Sequence, residues 1–223
     1  PRSSSAASDV YKRQMETGTV SVARVQAHVT YPAEFQLIAA MNPCRCGYLD
    51  DPARACSKAP RCAQDYQAKL SGPLLDRIDL HIDVPAVDTL DMLADTEGES
   101  SAPVAARVAA ARQQQTVRYG GTMTNARLKN EALQQMVQLN QEGKKLLEEA
   151  TIRFRLSMRA YTRVLKVART IADLANSEYI QYPHIAEALT YRQPHYVAAN
   201  GNLSTIVNTN AAADHLSTSA QPV

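Results

Sequence analysis

No apolar run in these 223 residues reaches the ~18 needed to cross a bilayer, and no secretory leader is visible. No membrane partner is therefore expected, and the cytoplasm is the expected compartment. Excess charge is also missing: 24 basic against 22 acidic residues leave a formal net charge of +2. Any contact with nucleic acid must then rest on a local patch rather than a global field. Nothing fits GxxxxGK[ST], the loop that cradles nucleotide phosphates. The nearest string, Gly143-Lys144-Lys145, falls inside a predicted helix. Nucleotide hydrolysis by these residues alone is not expected.

What is present suits a folded chain, with 45% hydrophobic and 21% charged residues. The two ends are exceptions. Residues 1–14 have no helical or strand period, and SAASDVYKRQ resembles translated adapter sequence, so they are set aside as non-native. Residues 193–223 are rich in Asn, Thr, Ser and Ala and read as a disordered tail. Between them, residues 15–92 read as an α/β piece and 93–192 as an all-α bundle, with an acidic linker near 90–100.

Apolar–polar alternation predicts a hairpin from Thr19 to Val25 and Ala27 to Tyr31. Phe35 to Met41 is continuously apolar, which predicts a central strand buried on both faces. Ala63 to Leu70 reads as a short helix, and Leu80, Ile82 and Val84 as another strand. Helices follow at Pro103 to Val117, Asn130 to Leu139 and Gln141 to Ile152. Ser157 caps the clearest helix, reaching about Ala175, and a last one opens at Ser177 or Tyr182 and runs to Tyr191. Ile152 to Arg169 holds six basic and no acidic residues; Arg163, Lys166 and Arg169 read as a solvated face.

Four cysteines follow C-x-C-x9-C-x5-C at Cys44, Cys46, Cys56 and Cys62. Without a secretory leader, such clustering favours a metal over disulfides. Four thiolates can close a tetrahedral, purely structural zinc (Zn²⁺) site. Reduced thiols in a flexible insertion and an iron–sulfur cluster remain alternatives. Asn42, at a predicted strand tip, is placed to orient a water at a γ-phosphate, or simply to cap the turn before Pro43. Arg77 can neutralise a transferring phosphate or pair with Asp76 or Asp79. Arg24 and His28 stand at the tip of what reads, from the residues, as an ordinary surface hairpin.

The strings AAMNPCRCG, SGPLLDRIDLHIDVP and LSMRAYTRVLKVARTIADLA, within Glu16 to about Arg192, resemble the C-terminal portion of Mg-chelatase-like AAA+ ATPases of the YifB/ComM family. The resemblance implies the end of an AAA+ core with a hairpin and cysteine-rich insertion, then a helical lid. In such proteins the phosphate loop and acidic Walker B strand lie upstream. By match, Asn42 is the sensor-1 residue, Arg77 the arginine finger and Arg159 the sensor-2 arginine, and Arg24 and His28 lie in the hairpin that would touch the DNA backbone. The resemblance further implies ATP and Mg²⁺ in the intact protein, self-association into a hexameric ring, and DNA as partner, with branch migration during natural transformation. The rival reading is a non-enzymatic, zinc-stabilised nucleic-acid-binding or interaction module.

Overall fold

A computed structural model describes residues 14–24, 27–49, 53–54, 56–84, 87, 98–129, 131–133 and 138–192. The chain divides into two compact units, Pro1–Ile78 and Asp79–Val223. Together they mix helices with one small two-stranded sheet. Most of the 90–100 linker lies outside the described residues, as do the 1–13 and 193–223 ends.

In the first unit, β1 (Thr19–Arg24) and β2 (Ala27–Pro32) form the expected antiparallel hairpin. Its rungs alternate in character. Val20 faces Tyr31 and Val22 faces Val29, while the Ser21 and Thr30 hydroxyls meet at 3.1 Å on the intervening rung. Such pairs stabilise a hairpin by a few tenths of a kcal/mol to about 1 kcal/mol each. The expected strand over Phe35 to Met41 is absent; the segment is irregular, and Ile38 is 85% exposed. A strand exists through its ladder of hydrogen bonds, and no described residue pairs with this one. A loop then leads to α1 (Arg61–Gln67) and the single turn α2 (Gly72–Leu75). Gln67 is buried and its Nε2 donates to the Pro43 carbonyl at 2.7 Å, pinning α1 to the start of the cysteine loop.

The second unit is helical. The strand expected over Leu80 to Val84 is absent; one backbone bond ties this segment to the bundle, from the His81 amide to the Tyr191 carbonyl at 2.9 Å, and no ladder forms. The first long helix, α3, spans Ser101–Tyr119 and stops at Gly120, whose φ of 68° ends a helix cheaply only without a Cβ. A 3-10 turn at Asn125–Arg127 follows, then a helical turn at 131–133; the rest of the predicted 130–139 helix is either outside the described residues or non-helical. Three helices make the core: α4 (Gln141–Phe154), α5 (Met158–Leu174) and α6 (Tyr182–Thr190). Asn140 Oδ1 caps α4 by accepting from the Gly143 amide at 2.8 Å, and Ser157 Oγ caps α5 by accepting from Ala160 at 3.1 Å. For α6, His184 Nδ1 accepts from the Gln181 amide at 3.1 Å. Leu146, Leu147, Val164, Leu165, Ile185 and Leu189 are all buried together, each of the larger ones contributing ~1.5–3 kcal/mol.

Candidate functional site

The cysteine loop is the most complete chemical arrangement among the described residues. The Cys44 and Cys46 sulfurs lie 3.1 Å apart, and those of Cys56 and Cys62 lie 3.2 Å apart. Sγ atoms of Cys44, Cys46 and Cys62 all fall within 4.8 Å of one another. Local sequence explains the gathering. Gly47 takes φ 83° and donates its amide to Cys44 O at 3.2 Å, folding C-x-C into one turn. Cys62 is carried by the first turn of α1, which Gln67 ties back to Pro43. Around a zinc ion with bonds of ~2.3 Å, tetrahedral sulfurs stand about 3.8 Å apart. The two pairs would open by roughly 0.6–0.7 Å; Cys44, Cys46 and Cys62 lie close enough to share such an ion, with Cys56 beside Cys62 as the fourth donor.

Cys46 and Cys62 differ in proton affinity. A hydrogen bond from the Tyr48 backbone, then one with Cys44, pulls Cys46 down to about 6. Hydrogen bonding with Cys56, followed by burial, pushes Cys62 up to about 12. One sulfur is thus ready as a thiolate near neutrality. A cation that draws the remaining protons off would relieve the crowding.

Asn42 is exposed two residues before Cys44 and is not at the end of a paired strand. Arg77 sits just after α2, and its partner is neither Asp76 nor Asp79. Its Nη2 meets Glu16 Oε2 at 3.0 Å and its Nη1 donates to the Pro73 carbonyl at 2.5 Å, leaving the side chain only 10% exposed. In the hairpin, Arg24 stands opposite Ala27 and His28 opposite Ala23, on neighbouring rungs, with His28 exposed.

Arg159, in the second unit, is exposed in the first turn of α5, and no acidic residue shares that turn. The supposed basic face beyond it is a mistaken expectation. Arg169 is buried at 1% exposure, Lys166 is half-buried and donates to the Ala126 carbonyl at 2.9 Å, and Arg163 is paired with Asp79. Arg169 gives Nη1 and Nη2 to the carbonyls of Glu178 and Ser177 at 2.7 and 2.5 Å, and its Nε to Asp173 at 3.1 Å. Asp173 also receives Arg118 and Asn125, so a charged hub forms beneath α5. Charge runs usually mark solvent faces; the spacing Arg169–Asp173 (i, i+4) was the one available sign that this arginine pairs inside.

The family description "Magnesium chelatase, subunit ChlI" matches residues 1–92, and "Magnesium chelatase, subunit ChlI C-terminal" matches residues 98–192. The chain is 41% identical over 186 residues to Uncharacterized protein YifB of Escherichia coli K12, covering 82% of this chain and 36% of that protein. It is 40% identical over 186 residues to Competence protein ComM of Haemophilus influenzae Rd, with the same coverage of 82% and 36%. Uncharacterized protein Mb2921c of Mycobacterium bovis is 35% identical over 187 residues, 83% of this chain and 37% of that one. The chain thus spans little more than a third of the length of these relatives.

Proposed function

Since the chain belongs to the Mg-chelatase-like family that includes YifB and ComM, we propose that it supplies the nucleotide-sensing and lid portion of an AAA+ ATPase that remodels DNA. ATP is the substrate, and upstream sequence holds its phosphates together with Mg²⁺; no residue of this chain is assigned to that cation. Residues 15–92 are the end of the AAA+ core and 93–192 the helical lid.

Arg159 carries the reading. A cation in the first turn of α5 opposes the helix dipole at a cost of about 0.3–1 kcal/mol, and an anionic ligand bound at the same helix end would offset that cost. A γ-phosphate approached by Arg159 collects both the guanidinium and the positive end of α5. Arg77 acts as the finger on a neighbouring subunit of a hexameric ring. There it must exchange Glu16 for phosphate charge, a trade of one carboxylate for one stronger anion. Asn42 orients the attacking water. Cys44, Cys46, Cys56 and Cys62 hold a structural zinc that fixes the loop between Asn42 and Arg77. The hairpin, through Arg24 and His28, touches the DNA backbone.

Turnover and nucleotide affinity of the full-length protein test this. Arg77→Ala should lose about 10³-fold in kcat or more, the scale of an arginine finger, with ATP binding kept. Abolished binding in a folded variant would contradict a role in trans. The gathered cysteines and the pairing of Arg77 with Glu16 favour a second reading, a zinc-dependent nucleic-acid-binding module without turnover. DNA binding that needs the cysteines yet is indifferent to Arg77 and Arg159 would select it.

A further inference from the structure

Residues 159, 163, 166 and 170 recur at helical spacing and so share one face of α5. Below Arg159, each rung of that face is tied down within the second unit. Arg163 pairs with Asp79, Lys166 Nζ donates to Ala126 O at 2.9 Å, and Thr170 Oγ1 accepts from Asn125 Nδ2 at 3.0 Å. Rotation of α5 about its own axis is thereby fixed along its length, and Arg159 inherits the orientation.

The first of these ties reaches furthest. Asp79 is the opening residue of the second unit and stands two residues after Arg77 in the chain. Arg163 therefore holds the Asp79 carboxylate at the point where the chain leaves the segment bearing Arg77. A second grip follows at once, the His81 amide on the Tyr191 carbonyl at 2.9 Å. The charge of Asp79 is also felt at Lys166, whose pKa is lowered by burial and then by the charge of Arg163, with Asp79 acting in the opposite direction. Stability alone accounts poorly for this pair. Asp79 is half-exposed, with 54% of its side chain in solvent, and such pairs contribute about 0–1 kcal/mol. Yet Arg163 lays down most of its length to make it, at 16% exposure.

We propose that the Arg163–Asp79 pair is a positioning strut, transmitting movement of the helix that carries Arg159 to the segment that carries Arg77. Arg163 acts through Asp79 and is not itself a phosphate ligand. The inference rests on the ATPase reading above and adds to it the residue pair by which lid and finger move together. The strut has one charge at each end, so it can be rebuilt with its polarity reversed.

The test uses the full-length protein, phosphate loop included, with Arg163→Glu, Asp79→Arg and the double exchange. Each single variant should lower kcat about tenfold or more, on the scale at which ~1 Å misplacement of a catalytic group is felt, with the ATP dissociation constant unchanged within about twofold. The double exchange should return kcat to within about threefold of wild type, and Arg163→Lys should stay near it. If Arg163→Glu fails to fold, Asp79→Asn, which discharges a half-exposed carboxylate, replaces it and should show the same kcat loss. Singles that turn over like wild type, or a folded double exchange that stays as slow as the singles, overturn the strut while leaving the ATPase reading intact. A wild-type protein that binds no nucleotide and hydrolyses none overturns both.

Discussion

Asp173 is the residue whose removal should cost the helical unit most. Its carboxylate is fully enclosed and accepts from Arg118 at 3.1 and 2.5 Å, from Asn125 at 2.8 Å and from Arg169 at 3.1 and 2.9 Å. Burial alone would raise its pKa, but the hydrogen bonds of Arg118 and Asn125 and the charge of Arg169 outweigh it and hold the carboxyl below the usual range. Asp173→Ala strands Arg169, buried at 1% exposure, with two carbonyl partners and no counter-charge. Breaking a buried pair from one side costs about 3–5 kcal/mol. At 4–8 °C per kcal/mol for a unit of this size, Tm should fall by roughly 15–30 °C. Arg118→Met should cost less, about 1–2 kcal/mol, because Arg118 is 23% exposed and Asp173 keeps Arg169. Thermal and urea unfolding followed by circular dichroism read both values. Asp173→Ala within 1 kcal/mol of wild type, or Arg118→Met the worse of the two, would refute the hub. The acid limb gives an independent reading. A folded pKa below the unfolded one contributes stability that is complete above about pH 4 and is lost as pH falls through the folded value. Asp173→Asn should flatten that limb.

Three further outcomes follow from the geometry. One zinc ion per chain should compete with a colorimetric chelator, and Cys44→Ser or Cys62→Ser should weaken it at least tenfold; undiminished affinity in either variant would remove the four-sulfur site. Ser157→Ala should cost about 1 kcal/mol and Ser157→Asp much less, since aspartate can still accept from Ala160; equal losses in thermal unfolding would count against the cap. Burial, then the charge of Arg169, lowers the pKa of His184. Its contribution is therefore complete above about pH 6.5 and declines as pH falls from there toward the folded value, where protonation takes Nδ1 from the Gln181 amide. A stability profile equally steep with His184→Gln would show that another group sets the slope.

The helical unit was legible because its signals are local. Ser157 ahead of an apolar repeat gave α5 to within a residue or so, and it was found at Met158–Leu174. The hairpin came from alternation alone, with its ends at Thr19–Arg24 and Ala27–Pro32. The two apolar strands failed for a non-local reason: Phe35 to Met41 carries the composition of a buried strand, but composition does not supply the neighbour that makes the ladder. Arg169 failed in the opposite sense. A solvated face and a buried hub share the same basic spacing; beyond Asp173 at i+4, it is the distant Arg118 and Asn125 converging on Asp173 that mark the hub. The cysteine cluster was legible as a set, whereas Glu16 as the partner of Arg77, 61 residues away, was not.

The bridge between Leu139 and Ile180 reaches into folding order. Ile180 gives its amide to the Gln138 carbonyl at 3.0 Å and takes the Asn140 amide at 3.1 Å, two bonds spanning about forty residues. Making that contact requires the chain to turn back across α4 and α5, a long loop to close. Ile180 is wholly buried, so its amide proton can reach solvent only when the bundle comes apart. In hydrogen exchange it should be among the slowest of the chain, and its rate should report the opening of the whole helical unit rather than the fraying of any one helix.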